Sequence, residues 1–294
     1  MKKIAVFFAA ALIGGVGFAE EVYEIRDASA KSEIRIINMA GEVEVEGWSR
    51  KQVEVEADLG GGIKELIFEV DGNEVLIEVK VPNNHGHHVS SDLVIRVPEG
   101  SSLLEIGTVS ADITVENVHG RQTLETVSGD IETEVFESDF AVESVSGDIA
   151  VEGDDKEMRA RANSVSGDID VENLKGEIEV SSVSGDLVLY NSKFENVDAQ
   201  TVNGDVIFES ALYGESRMNV ETVNGEVDID FSGEVSARFD IETFNGDIDN
   251  CFGPEAQRTS KYTPGSELKF TVGGGEGRVV IRTLNGDLRL CYTD

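Results

Sequence analysis

Apolar and acidic residues alternate in short runs along almost the whole chain. Val43-Glu44-Val45-Glu46, Val53-Glu54-Val55-Glu56 and Ile131-Glu132-Thr133-Glu134-Val135 each repeat with a period of two. That pattern predicts strands with one face in a core and the other in water. Ile67 to Val81 reads as a hairpin turning at Asp71-Gly72-Asn73. Leu93 to Pro98 reads as a strand ended by its proline. No stretch after the N-terminal twenty or so residues keeps a helical period, so the expectation is an all-β chain.

A second, longer period organises these strands. TVSADI at Thr108–Ile113 returns as TVSGDI at Thr126–Ile131 and as SVSGDI at Ser144–Ile149 and Ser164–Ile169. SVSGDL follows at Ser182–Leu187. TVNGDV starts at Thr201, TVNGEV at Thr222, TFNGDI at Thr243 and TLNGDL at Thr283. The glycine position falls at Ala111 and then at Gly129, Gly147, Gly167, Gly185, Gly204, Gly225, Gly246 and Gly286, in steps of 18, 18, 20, 18, 19, 21, 21 and 40 residues. A weaker copy lies at Asn38–Val43. Gly after Ser or Asn suits a turn that a Cβ would strain. A second turn recurs at Asn117–Gly120 and Asn173–Gly176.

An antiparallel sandwich has no reason to repeat the same residues at every turn. A single-stranded parallel β-helix, or β-solenoid, does, because equivalent residues then stack one strand spacing apart. Coils of about 18–21 residues vary too much for a strict hexapeptide left-handed helix, so right-handed winding is preferred. The expected ladders are Thr/Ser, an apolar core position (Val, Phe or Leu), Ser/Asn, Gly and Asp/Glu. Leu124 and Val127 are three apart, and a corner or bulge between them would turn both inward. Residues 20–100 are read as irregular N-terminal coils or a cap, with Trp48 packed there. Residues 101–250 are the regular repeats, and 251–294 the C-terminal coil or coils with a loop insertion.

Residues 1–19 read as a signal peptide. Lys2 and Lys3 precede an apolar run from Ile4 to Phe18, and Gly17-Phe18-Ala19 offers small residues for cleavage after Ala19. Losing the two lysines moves the formal charge from −34 to −36. So acidic a chain argues against nucleic acid and anionic membrane surfaces as partners. No later segment is apolar enough to insert in a membrane. The expected location is periplasmic or secreted, where a disulfide can form. Cys251 and Cys291 each lie five residues after a repeat glycine, hence in the same phase, and a Cys251–Cys291 bridge would staple the C-terminal end.

The repeats, together with GEVEVEGW at Gly41–Trp48 and VIRVPEG at Val94–Gly100, resemble the DUF4097 family over about residues 33–292. That resemblance implies a β-strand-repeat adhesin in or outside the cell envelope, with no known reaction and no catalytic residues to carry over.

Three features carry candidate chemistry. The acid ladder comprises Asp112, Asp130, Asp148, Asp168, Asp186, Asp205, Glu226, Asp247 and Asp287. Acids 4.8 Å apart repel by about 0.9 kcal/mol in water. Each must be exposed and tied to its own turn, or bridged by divalent cations such as Ca²⁺. The first reading is preferred, and no cofactor is expected. His85, His87 and His88 lie in a polar loop and read as an exposed cluster rather than a metal centre. A catalytic role needs a groove with clustered acids or bases, and the short central coils offer neither long loops nor a nucleophile–base pair. The sequence therefore points to a non-enzymatic adhesin or envelope scaffold whose partner is an envelope protein or a glycan. The alternatives are a carbohydrate-active β-helix enzyme and an envelope-stress accessory.

Overall fold

A computed structural model describes residues 20–82, 89–260 and 264–293. The expected signal peptide at 1–19 and His85, His87 and His88 lie outside the described residues. The described residues form twenty-three strands in one hydrogen-bonded system, with no helix.

The N-terminal part contains β1 (Glu20–Asp27), β2 (Glu33–Trp48), β3 (Gln52–Leu59), β4 (Glu65–Asp71), β5 (Glu74–Lys80) and β6 (Ser91–Pro98). The middle contains β7 (Leu103–Glu116), β8 (Arg121–Thr126), β9 (Ile131–Glu134), β10 (Phe140–Ser144), β11 (Ile149–Glu152), β12 (Glu157–Asn163), β13 (Ile169–Glu172), β14 (Lys175–Ser181), β15 (Leu187–Gln200), β16 (Val206–Asn224) and β17 (Val227–Ser232). The C-terminal part contains β18 (Ala237–Asn245), β19 (Ile248–Asn250), β20 (Gln257–Arg258), β21 (Ser266–Val272), β22 (Gly277–Asn285) and β23 (Leu288–Thr293).

Two parallel ladders run through the middle. One is β7–β8–β10–β12–β14–β15. The other is β7–β9–β11–β13–β15. The longer β15 and β16 contribute to both and pair with each other. Between the ladders, residues of the same phase stack into apolar columns. Ile131, Ile149, Ile169 and Leu187 form one column and Leu124, Val142, Ala162 and Val180 another, all buried. Each strand alone exposes an apolar face, and only a neighbour above and below removes it from water.

Antiparallel pairing is confined to the ends. The β4–β5 hairpin forms as the sequence predicts, turning at Gly72-Asn73, and β3 lies against β6 with β1 against β3. At the other end β21 runs antiparallel to β18 and covers it. Phe231, Phe239, Phe252 and Phe270 pack there, with Phe239 and Phe270 stacked at 4.5 Å. Trp48 is half-buried at a turn, its Nε1–H donating to Gln52 O at 2.7 Å and its ring carrying Arg50.

The stack does not follow chain order at its ends. Strand β2 lies between β7 on one side and β5 and β6 on the other. Strand β22 lies between β16 and β18, and β23 between β17 and β19. The repeat glycines therefore stack as Gly225, Gly286, Gly246. The chain leaves one coil's width open after β17, builds the next coil, covers it with β21 and returns to fill the gap. Strand β22, and β23 at Leu288–Leu290, are thereby paired on both sides.

Three expectations about the repeat are corrected. The apolar residue after Thr/Ser is not a core position: Val127 is 49 % exposed while Leu124 is fully buried. No corner turns both inward, so the three-residue spacing simply puts them on opposite faces. The repeat glycines from Gly129 to Gly286 do not adopt positive φ. They are required by close approach, since a Cβ on Gly167 would overlap the carbonyl oxygen of Gly147, and one on Gly185 that of Gly167. Left-handed backbone occurs instead at the second turn, at Asn117, Glu137, Asp155, Asn173 and Asn191, with φ between 40 and 59°. Asn and Asp tolerate that conformation best among residues with a Cβ.

Candidate binding surface

The first corner of every repeat carries columns with distinct roles. Innermost is the buried hydroxyl column. Ser182, Thr201, Thr222 and Thr243 donate to the carbonyls of Gly167, Gly185, Gly204 and Gly286 at 3.0–3.2 Å. These hydroxyls satisfy a carbonyl that faces the corner and are unavailable to a ligand.

Beside it runs the exposed apolar column: Val109, Val127, Val145, Val165, Val183, Val202, Val223, Leu284 and Phe244, in spatial order. All nine are 38–49 % exposed. At one strand spacing per step the column is about 38 Å long. Exposed apolar residues are usually scattered singly, and here nine stand in one contiguous row. Next to it Asn203, Asn224, Asn285 and Asn245 link side chain to side chain at 2.8–2.9 Å.

The acid column completes the corner. One oxygen of seven of the nine acids accepts the backbone N–H of the equivalent acid in the adjoining coil. The Asp130, Asp148, Asp168, Asp186, Asp205 and Glu226 amides donate to Asp112, Asp130, Asp148, Asp168, Asp186 and Asp205 at 2.7–3.0 Å, and the Asp247 amide donates to Asp287. The expectation that each acid ties down its own turn is corrected, because the bond is to the neighbouring coil. Charge-assisted bonds of this kind offset the mutual repulsion of the column. Among the described residues no group of three or more His, Cys, Asp or Glu side chains is placed to hold a metal.

A separate acidic groove of about 210 Å³ is lined by Glu116, Glu134, Asp170, Glu172 and Tyr190 among others. Burial, then repulsion from Asp168, Asp148 and Asp186, pushes the Asp170 carboxyl above the usual range. The Tyr190 hydroxyl donates to Glu172 Oε2 at 2.6 Å, and this bond, with burial, pushes its pKa up to about 12. Nothing in this groove pairs a nucleophile with a base. At the far end Cys251 and Cys291 are joined as a disulfide with Cα atoms 4.9 Å apart, on the adjacent strand ends of β19 and β23.

A family model described as Toastrack DUF4097 matches residues 31–290. The chain belongs to the Toastrack DUF4097 family. Among solved structures, this Toastrack chain is similar to a candidate lipid-binding protein from Parabacteroides distasonis, at 12 % identity and a TM-score of 0.51, over 93 % of this chain and 97 % of that one. A candidate adhesin from Bacteroides fragilis shares 10 % identity at a TM-score of 0.45, over the same shares of each chain. One from Parabacteroides merdae shares 8 % at 0.40, over 94 % and 97 %. At these identities the likeness concerns the fold alone. No curated protein matches the chain. Among the described residues no helix is long and apolar enough to cross a membrane.

Proposed function

We propose that the protein is an exported, non-enzymatic adhesin or envelope scaffold. On this reading it is a single-stranded parallel β-helix, wound right-handed, that presents the first corner of its coils as a long docking edge to an envelope protein or glycan. The observation that carries the reading is the row of nine exposed apolar side chains beside the amide and acid columns. Desolvating such a row on binding is favourable at roughly 25 cal/mol per Å², and among the described residues these side chains remain exposed. Family membership and the candidate adhesins among the similar folds support the same reading. The N-terminal signal, cleaved after Ala19, would deliver the chain to the periplasm or the medium, where the Cys251–Cys291 bridge staples the last coils. No cofactor is assigned, and the acid ladder is read as structural rather than as a calcium site.

The test is a panel of neutral and acidic polysaccharides together with immobilised envelope extract. Binding without release of product supports the reading, provided that Val145→Asp/Val183→Asp abolishes it while the melting temperature holds. Turnover of any polysaccharide would establish the enzyme instead.

A further inference from the structure

The charge of the whole chain hides a local reversal. It carries 58 acidic and 24 basic residues, so the expected neighbour of any arginine is an acid. The strand register breaks that expectation in one place. Arg159, Glu177, Asn196, Arg217, Arg278 and Arg238 occupy equivalent positions on successive strands. Arg159 and Arg161 meet Glu177 at 3.6 Å and Glu179 at 2.7 Å. Arg217 and Arg278 stand directly beside each other, both exposed, and among the described residues neither side chain has an acidic partner. Two guanidinium groups one strand spacing apart repel by roughly 0.9 kcal/mol in water. With acids so abundant, a single substitution at either position would have relieved that cost.

Arg159, Glu177, Asn196, Arg217 and Arg278 line a groove of about 790 Å³, which runs across β8, β10, β12, β14, β15, β16 and β22. Arg121 lies at its N-terminal end and Arg278 at its C-terminal end. Its floor has a small apolar patch at Ala141, and its walls carry Asn196, Asn219 and Asp198.

We infer that this groove binds an acidic polysaccharide, a chain of uronate-type sugars laid along the coil stack. Arg217 and Arg278 would take its carboxylates in forked, two-point hydrogen bonds. Asn196, Asn219 and Asp198 would take its hydroxyls, and Ala141 would meet the C–H face of a ring. A single-stranded nucleic acid offers the same anionic charge, but it is held by stacking its bases on exposed aromatic faces, and the groove lining contains no aromatic residue other than the buried Phe140. The net negative charge does not forbid the interaction, since screening at physiological salt confines each charge to about 8 Å. None of the nine column residues lines this groove, so the inference stands whether or not that column docks a partner.

The experiment is affinity electrophoresis of the whole protein through gels containing polygalacturonate, neutral dextran or an oligo(dT) strand. The variants are Arg217→Glu/Arg278→Glu and a charge-matched control, Arg26→Glu/Arg35→Glu, at the N-terminal end of the stack. Thermal melting confirms that each is folded. The expected result is retention by polygalacturonate alone, weakening as salt rises. Retention should fall at least tenfold in the Arg217/Arg278 variant and stay near the wild-type level in the control. No retention of the wild type, equal loss in both variants, or preference for oligo(dT) would overturn the inference.

Discussion

At the residue scale, the repeat is a division of labour between neighbours in sequence. Ile169 is fully buried and Val165 is 45 % exposed, although both are β-branched and apolar. Val165→Thr should leave stability within about 0.5 kcal/mol, while Ile169→Thr should cost about 2–4 kcal/mol through a cavity and an unpaired hydroxyl. Urea midpoints of the two variants check the contrast. Gly167→Ala should cost about 1–3 kcal/mol, because the carbonyl of Gly147 occupies the place of the added methyl and the coil must shift. The motif itself was plain in the sequence, but the side each residue faces was not. A single letter V in TVSGD does not say whether the strand has already turned, and the β-propensity of valine is the same on either face. The glycine was equally legible as a requirement and illegible as to cause, since close approach and positive φ leave the same letter.

Along each column the question becomes what one coil does for the next. In the acid column the acceptor oxygen matters for stability and the charge does not. Asp148→Asn keeps an acceptor for the Asp168 N–H and removes repulsion, so it should be neutral or stabilising; Asp148→Ala leaves that N–H to water and should cost about 0.5–1.5 kcal/mol. Melting with and without a chelator should give the same midpoint. Asp170 provides a pH signature. Its folded-state pKa lies above the unfolded one, so the folded protein holds that proton more tightly, and its penalty is relieved as pH falls through the folded value. Asp170→Asn should therefore raise the melting temperature at neutral pH and flatten its rise on acidification. Because Asp170 still meets solvent, the effect is modest. The parallel ladders were legible in the sequence because identical residues at fixed spacing have few other uses. The arginine groove was not. Arg159, Arg217, Arg278 and Arg238 are separated by 58, 61 and 40 residues in sequence, and only the strand register, which includes a bulge at Asn196 and an inserted β22, brings them into line.

For the molecule as a whole, both ends of the stack are built out of chain order, and the spacing of 40 between Gly246 and Gly286 was the single trace of this. That spacing fitted a looped-out insertion equally well, because periodicity reports phase and not slot. The disulfide spans the outermost coil and the strand tucked inside it. Closing a loop of this length stabilises by roughly 3–4 kcal/mol. Reduction should lower the thermal midpoint by that equivalent, and Cys251→Ser/Cys291→Ser should reproduce the loss without a reductant. The tucked strand also governs how the protein would carry force. A tether on its C-terminus pulls on β23, whose Leu288–Leu290 segment is gripped by β17 on one flank and β19 on the other, so load there is borne in shear by two rows of hydrogen bonds at once.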